Sequence, residues 1–303
     1  TMSIQSHLLT VLINSSEKAA CIARLCKTEG KLFDLLIEEK PSIFKNNACI
    51  QDFKTLADVI IQEMVRNDIH KEFPALSNRV FGEESNKFTN TLGETITVEM
   101  KGNVHETSTL LENVLAGDRH TATILAETMH CNSALKFDEI AIEKFEGCSL
   151  ERLAIWIDPI DGTSEYIHGK DSEVGNDMLA RKGLQCVTIL IGVFDIQTGH
   201  PVLGVITKPF GLKEGNSWSS KHFWSHLKPN IDLTMTQSCP ARPVVVISSN
   251  ESQPVRDALQ KEFEVIPVSG AGYKCLSIVQ DLSHAYISSQ PSTYQWDTCA
   301  PHA

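Results

Sequence analysis

The segment "AIWIDPIDGTSEYI", residues 154–167, runs an apolar stretch directly into two aspartates three positions apart. Apolar runs of this kind belong in a buried strand, whereas carboxylates belong beside water or a cation, so a chain that joins the two must end its strand abruptly. Pro159 fixes its own φ and removes a donor, and Gly162 permits a tight bend. The strand is therefore expected to deliver Asp158 and Asp161 to one spot, with Thr163 opening a helix. Two like charges held that close repel unless a cation neutralises them, and oxygen-rich clusters suit Mg2+. Alone, a D-x-x-D turn is more often a surface turn whose second aspartate caps a helix.

Further acids change that balance. "GEES" places Glu83 and Glu84 just after the strand-like pair Val80 and Phe81, although an isolated E-E pair usually marks a solvated face. Asp58 lies beside an apolar stripe in which Phe53, Leu56, Ala57, Ile60, Ile61 and Met64 recur at helical spacing, with Pro74 beyond the helix end. Asp297 follows an aromatic residue in "YQWDTCAPHA". Four separate acidic signals then call for a single explanation.

Length and charge narrow the class. A chain of 303 residues with 42% hydrophobic content can bury a sizeable core, as one large domain or two intimately packed ones. A net charge of −11 with no basic block argues against nucleic-acid or membrane partners. The run "VTILIGVF" is too short to span a bilayer, and "TMSIQSHLLT" lacks the basic and apolar regions of an export signal. Nine cysteines without a C-x-x-C pair read as reduced thiols, and a cytoplasmic monomer is expected. Cys299 and His302 share a helix face rather than a metal, and the aromatic, basic segment 217–228 reads as a surface hairpin with buried tryptophans.

Along the chain, helices are expected over 17–37 and around 53–64. Strands are expected at 153–157, 185–196 and 201–209, the last two forming a hairpin across "QTGH". The stretch 86–150 reads as polar, without assigned elements. From about 240, "PVVVISS", "PVRDALQKEFE", "EVIPV", "SGAGYKCLSIVQ" and "HAYIS" alternate strand and helix. The expected organisation is an α+β domain over 1–200 that carries most metal ligands, then an α/β domain over 201–303 with the "GAGYK" turn and the last ligand.

The set "LAD", "FGEES", "WIDPIDGT" and "WD", in that order, resembles the metal-dependent, lithium-sensitive phosphomonoesterase superfamily of inositol monophosphatases and bisphosphate nucleotidases. Within it, "DFKTLADV", "LIEEK", "GLQCVTILIGVFDIQTG" and "GAGYK" are most similar to the inositol polyphosphate phosphatases. The resemblance covers roughly Glu17 to His302. It implies an α+β fold with five layers, α/β/α/β/α, and hydrolysis of the 1-phosphate of inositol 1,4-bisphosphate and inositol 1,3,4-trisphosphate. The alternative it keeps open is a 3′(2′),5′-bisphosphate nucleotidase acting on adenosine 3′,5′-bisphosphate. From another class, a catalytically silent inositol-phosphate binder would not need the acids this chain retains.

By the same resemblance, Glu83, Asp158 and the backbone carbonyl of Ile160 hold one Mg2+ ion, and Asp158, Asp161 and Asp297 hold a second. Asp58 and Glu84 line the cluster, with room for a third ion. Two ions about 3.5–4 Å apart activate a water and stabilise the entering and leaving oxygens. The catalytic set implied is Glu83, Thr163 and Asp58, with Glu83 and Thr163 orienting the water. Substrate contacts are implied at Asp161, Gly162, Thr163, Asn250, Gly270, Ala271 and Lys274, the phosphate also gaining from the N-terminus of the helix that opens at Thr163. Three departures stand out. Gly162 occupies a position where the polyphosphate phosphatases carry serine, Ser252 and Asn250 replace a lysine and a serine, and the chain stops soon after Asp297 where the family continues. A frayed Asp297 and a weakly held second ion are expected from the last.

Overall fold

The structure is a computed structural model that describes residues 4–28, 33–40, 53–131, 149–171, 177–226 and 241–303. Its centre is a five-stranded sheet in the order β3-β6-β7-β8-β9, with β3 Val80–Gly82, β6 Leu153–Asp161, β7 Thr188–Asp195, β8 Pro201–Glu214 and β9 Ser217–His226. β3 runs parallel to β6 and the other neighbours are antiparallel. β7 and β8 form the hairpin expected across "QTGH". The sheet therefore continues across residue 200, where the division into two domains was expected. Segment 217–226 is an edge strand, and its Trp218 and Trp224 lean on the core.

Alternation along β7 explains why the sheet is covered on both faces. Ile189 and Ile191 enter one core with Ile155 and Ile157 of β6. That core is closed by α1 (Ile4–Thr28) and α2 (Leu56–Glu72) through Leu8, Leu12, Ile22, Ile60 and Ile61. Leu190 faces the other way, into a second core with Tyr273 and Leu276 of a helix at Ala271–Val279, Ala300 of a helix at Gln295–His302, and Val246 and Ile266. Val246 and Ile266 belong to a parallel three-stranded sheet in the order β11-β10-β12, with β10 Val244–Ile247, β11 Glu264–Pro267 and β12 Ala285–Tyr286.

The remaining elements follow the chain. β1 (Ile37–Glu39) and β2 (Phe53–Thr55) pair with each other, as do β4 (Lys87–Thr89) and β5 (Thr95–Thr97). α3 is Val104–Glu112, α4 Arg119–His130, α5 Thr163–His168 and α6 Gln253–Leu259; Ala271–Val279 is α7 and Gln295–His302 is α8. Helices α1 and α2, the five-stranded sheet, α7 with α8, the three-stranded sheet and α6 make the α/β/α/β/α order of an α+β fold.

Two expectations are corrected here. The first helix begins at Ile4 rather than residue 17 and ends at Thr28, because Leu8, Leu9, Leu12 and Ile13 extend its buried stripe toward the N-terminus. The segment read as polar, with no elements assigned, contains two capped helices: Asn103 accepts from Glu106 N and Asp118 from Thr121 N. Part of that segment, 132–148, lies outside the described residues.

Helix α8 owes its place to a glycine pair. Gly192 and Gly204 face each other across β7 and β8. A Cβ on Gly192 would stand 2.5 Å from Ala300 N, and one on Gly204 would overlap the Ala300 carbonyl. The sheet backbone is thus the surface on which α8 rests. Gly204→Ala is expected to lower the unfolding free energy by about 1–3 kcal/mol through overpacking. Urea denaturation checks this, and a change below roughly 0.5 kcal/mol, the range of a neutral surface substitution, would sink the packing account.

Candidate metal centre

In a regular strand, residues 158 and 161 point to opposite faces, because their separation is odd. The structure solves this with a register shift in β6: Asp158 pairs with Leu190 and Asp161 with Thr188, so β6 spends one more residue than β7 between those pairs. This bulge turns both carboxylates to one side, and Pro159 sits within it, where a missing donor costs no ladder bond. Asp297 arrives from the first turn of α8. One carboxylate oxygen from each of Asp158, Asp161 and Asp297 lies within 4.8 Å of the others, and all three side chains are buried. The expected fraying of Asp297 does not occur: the residue is buried, and its Oδ2 accepts from Tyr294 N at 2.5 Å.

Each acid is braced differently. Asp161 accepts three bonds, from Ala271 N at 3.0 Å, Gly272 N at 2.9 Å and the Thr188 hydroxyl at 2.9 Å. The start of α7 is thereby tied to the acid cluster. Gly270 makes that approach possible, since its φ is +76° and a Cβ there would come within 2.6 Å of the Cys186 carbonyl and 3.0 Å of Asp161 Oδ2. Asp58 caps its own helix, accepting from the Thr55 amide and hydroxyl, both at 2.6 Å. Glu83 and Glu84 share the ammonium of Lys40, at 2.7 and 2.6 Å. Burial opposes that ammonium's charge, but the two carboxylates raise its pKa well above the ordinary lysine value.

Electrostatics joins these acids into one system. Burial and then the charges of Glu83, Asp161, Asp297 and Asp58 hold the Asp158 carboxyl well above its usual range. Burial and Glu84 do the same to Asp58. Burial with Asp161 pushes Asp297 up to about 7, and burial with Glu83 pushes Glu84 up to about 7. Asp161 is raised by burial against the lowering influence of Lys274, Thr188 and the two amides. Asp158 Oδ1 is buried without any hydrogen-bond partner. An unpartnered oxygen among mutually raised carboxyls is what a hard divalent cation neutralises, so the donor set fits Mg2+.

Among the described residues, the tight ligand group consists of Asp158, Asp161 and Asp297. Asp58, Glu83 and Glu84 stand close enough to shift Asp158 or one another but do not join that group. The Ile160 carbonyl accepts the Thr163 hydroxyl at 3.0 Å, which places that hydroxyl beside the bulge. Gly162, at φ +82°, is the left-handed residue that lets α5 start there. α5 is only six residues long, so its dipole adds less than expected. Lys274 is buried, with Nζ 3.0 Å from Ser248 Oγ and over the Tyr286 ring. Asn250 lies exposed in the turn after β10. Sequence reasoning gave no role to Thr188, Thr55 or Lys40. Of these, only Thr55 carried a local signal, as the cap three residues before Asp58.

The chain belongs to the inositol monophosphatase family, which it matches over residues 11–303, and that family is metal-dependent. Its relatives include the inositol polyphosphate 1-phosphatase of Mus musculus, 41% identical over 98% of this chain and 80% of that protein. The 3′(2′),5′-bisphosphate nucleotidase 1 of Homo sapiens is more distant, at 25% identity over 99% of this chain and 80% of that protein. The extragenic suppressor protein suhB of Bartonella henselae shares the fold with a TM-score of 0.50, at 13% identity over 97% of this chain and 82% of that one.

The raised acids fix the sign of a pH effect. Asp297 and Glu84 keep their protons to about pH 7 in the folded chain, against reference values of 3.8 and 4.5. Through that window the folded state binds more protons than the unfolded one, so stability is present at low pH and lost as pH rises. The melting temperature of the metal-stripped protein is expected to fall between pH 5 and pH 8, and Mg2+ to raise it more at pH 8 than at pH 5. Scanning calorimetry in chelator and in Mg2+ checks both, and an equal Mg2+ effect at the two pH values would contradict the cluster's electrostatics.

Proposed function

We propose that the protein is a Mg2+-dependent phosphomonoesterase that removes the 1-phosphate from inositol 1,4-bisphosphate and inositol 1,3,4-trisphosphate. The observation that carries this reading is the buried Asp158–Asp161–Asp297 group with its unpartnered Asp158 oxygen, set beside the start of α7. The 41% identity to a protein named inositol polyphosphate 1-phosphatase supports the substrate class.

In this reading Asp158, Asp161 and Asp297 would hold one ion, and Glu83, Asp158 and the Ile160 carbonyl another, with Asp58 and Glu84 lining the cluster where a third could sit. When bound, Mg2+ supplies positive charge for the phosphate oxygens and lowers the pKa of an attacking water. The chain's own groups do the positioning. The Thr163 hydroxyl, fixed against Ile160, and Glu83 orient the water, while Gly162 leaves the phosphate's approach open. The amides of Ala271 and Gly272 keep Asp161 aimed, and Gly270, Ala271, Lys274 and Asn250 meet the inositol ring and its second phosphate. Such chemistry needs no covalent nucleophile.

The same proposal divides the work between residues 1–200, which carry most ligands, and 201–303, which carry the α7 turn and Asp297. It includes inhibition by lithium and a cytoplasmic monomer without nucleic-acid or membrane partners. Supporting the location, Cys21, Cys186, Cys275 and Cys299 are free thiols. Among the described residues, no helix is long and apolar enough to cross a membrane.

Asp158→Asn is expected to reduce phosphate release by about a thousand-fold or more while leaving the metal-free protein at least as stable, since its repulsion with the neighbouring carboxyls is removed. Activity above a tenth of the parent's would refute the shared-ligand role. Phosphate release from inositol 1,4-bisphosphate and adenosine 3′,5′-bisphosphate, measured side by side on one preparation, tests the substrate. Faster turnover of the nucleotide would move the enzyme to the nucleotidase branch and leave the metal chemistry in place.

A further inference from the structure

β3 ends at Gly82, yet Glu83 and Glu84 beyond it must be held as firmly as the acids on β6. The Glu83 amide still reaches back to the sheet, donating to the Ile157 carbonyl at 3.2 Å. For Glu84 the backbone partner is a side chain. Gln62 Nε2 donates to the Glu84 carbonyl at 2.5 Å, and Gln62 Oε1 accepts from the Glu84 amide at 2.9 Å. Both polar groups of one residue are thus paired by one carboxamide, as a neighbouring strand would pair them. Gln62 is completely buried, and it stands one helical turn after Asp58 on the same face of α2.

Gly82 belongs to the same device. A Cβ at that position would overlap the carboxamide of Gln62, so only glycine lets the amide lie flat against the strand end. We propose that Gln62, seated on Gly82, is a positioning residue that aims Glu83 and Glu84 at the metal centre. α2 therefore supplies one acid, Asp58, and through Gln62 fixes the backbone of Glu84, the residue that follows Glu83. The inference rests on the proposed role of Glu83 as a metal ligand.

The test uses the full chain and Mn2+ alone, read by electron paramagnetic resonance without substrate. Gln62→Met keeps the side-chain volume and removes both hydrogen bonds, whereas Gly82→Ala leaves Gln62 intact but displaces it. Each is expected to weaken Mn2+ binding by about 10-fold or more, as loss of an outer support of a metal ligand does. The double variant is expected to bind no worse than either single one, because both remove the same contact. At saturating Mg2+, KM for inositol 1,4-bisphosphate is expected to stay within about two-fold of the parent, a split that general loosening of the fold would not produce.

Glu83→Gln separates the two levels of the idea. If it weakens Mn2+ while Gln62→Met and Gly82→Ala bind like the parent, the positioning role is overturned and the metal reading stands. If Glu83→Gln leaves Mn2+ binding unchanged, the ligand role of Glu83 fails and the positioning proposal falls with it. Should Gln62→Met fail to fold, Gly82→Ala carries the comparison.

Discussion

Mutual repulsion among buried carboxylates is the constraint around which this molecule is arranged. Asp58, Glu84, Asp158, Asp161 and Asp297 are all withdrawn from water, and each raises or is raised by another. A cluster of this kind has no net stabilising value of its own and holds together only because rigid elements on all sides leave it no escape. The surrounding polar groups reduce the penalty without removing it. The α7 amides and Thr188 bind Asp161, Thr55 binds Asp58, and Lys40 sits between Glu83 and Glu84. Asp158 receives least support, and its unpartnered oxygen marks where a cation's charge is most needed.

Rigidity comes from a sheet that serves two cores at once. β7 sends Ile189 and Ile191 to one side and Leu190 to the other, so neither core can loosen without disturbing the strand that pairs with the Asp158–Asp161 bulge. The glycine pair on β7 and β8 lets α8 settle on the second face, and Asp297 comes with it. The start of α7 and the acid cluster are joined directly in this arrangement. The first amides of α7 end on Asp161 of the acid cluster, and Lys274 on the same helix reaches the Ser248 turn.

Much of the site was legible because its residues interrupt strong patterns. Asp158 ends an apolar run, Asp58 sits beside a helical stripe, and Gly270 opens a helix; these patterns drew attention to the residues, and the resemblance to a known family grouped them into one site. The β7–β8 hairpin and the alternation after residue 240 were readable for the same reason. What failed was weaker in pattern. α3 and α4 bury threonine and serine beside few large apolar residues, so Asn103 and Asp118 were the only boundary marks and they look like ordinary turn residues. Thr188 and Lys40 act through contacts distant in sequence, and no local spacing reveals them. The bulge is a matter of register between two strands, which a single strand's sequence does not record.

The acids of the centre come from segments spread along almost the whole chain, from Asp58 in α2 to Asp297 in α8. During synthesis the early ligands leave the ribosome well before the last, and the N-terminal core can form while the cluster is still incomplete. A nascent chain at that stage has half a cage and little reason to retain an ion. The Asp158–Asp161–Asp297 group is complete only when α8 is docked on the sheet. A mutation that delays that docking would lengthen the interval in which uncompensated carboxylates stand open to water, and would be felt as poor yield before it was felt as poor catalysis.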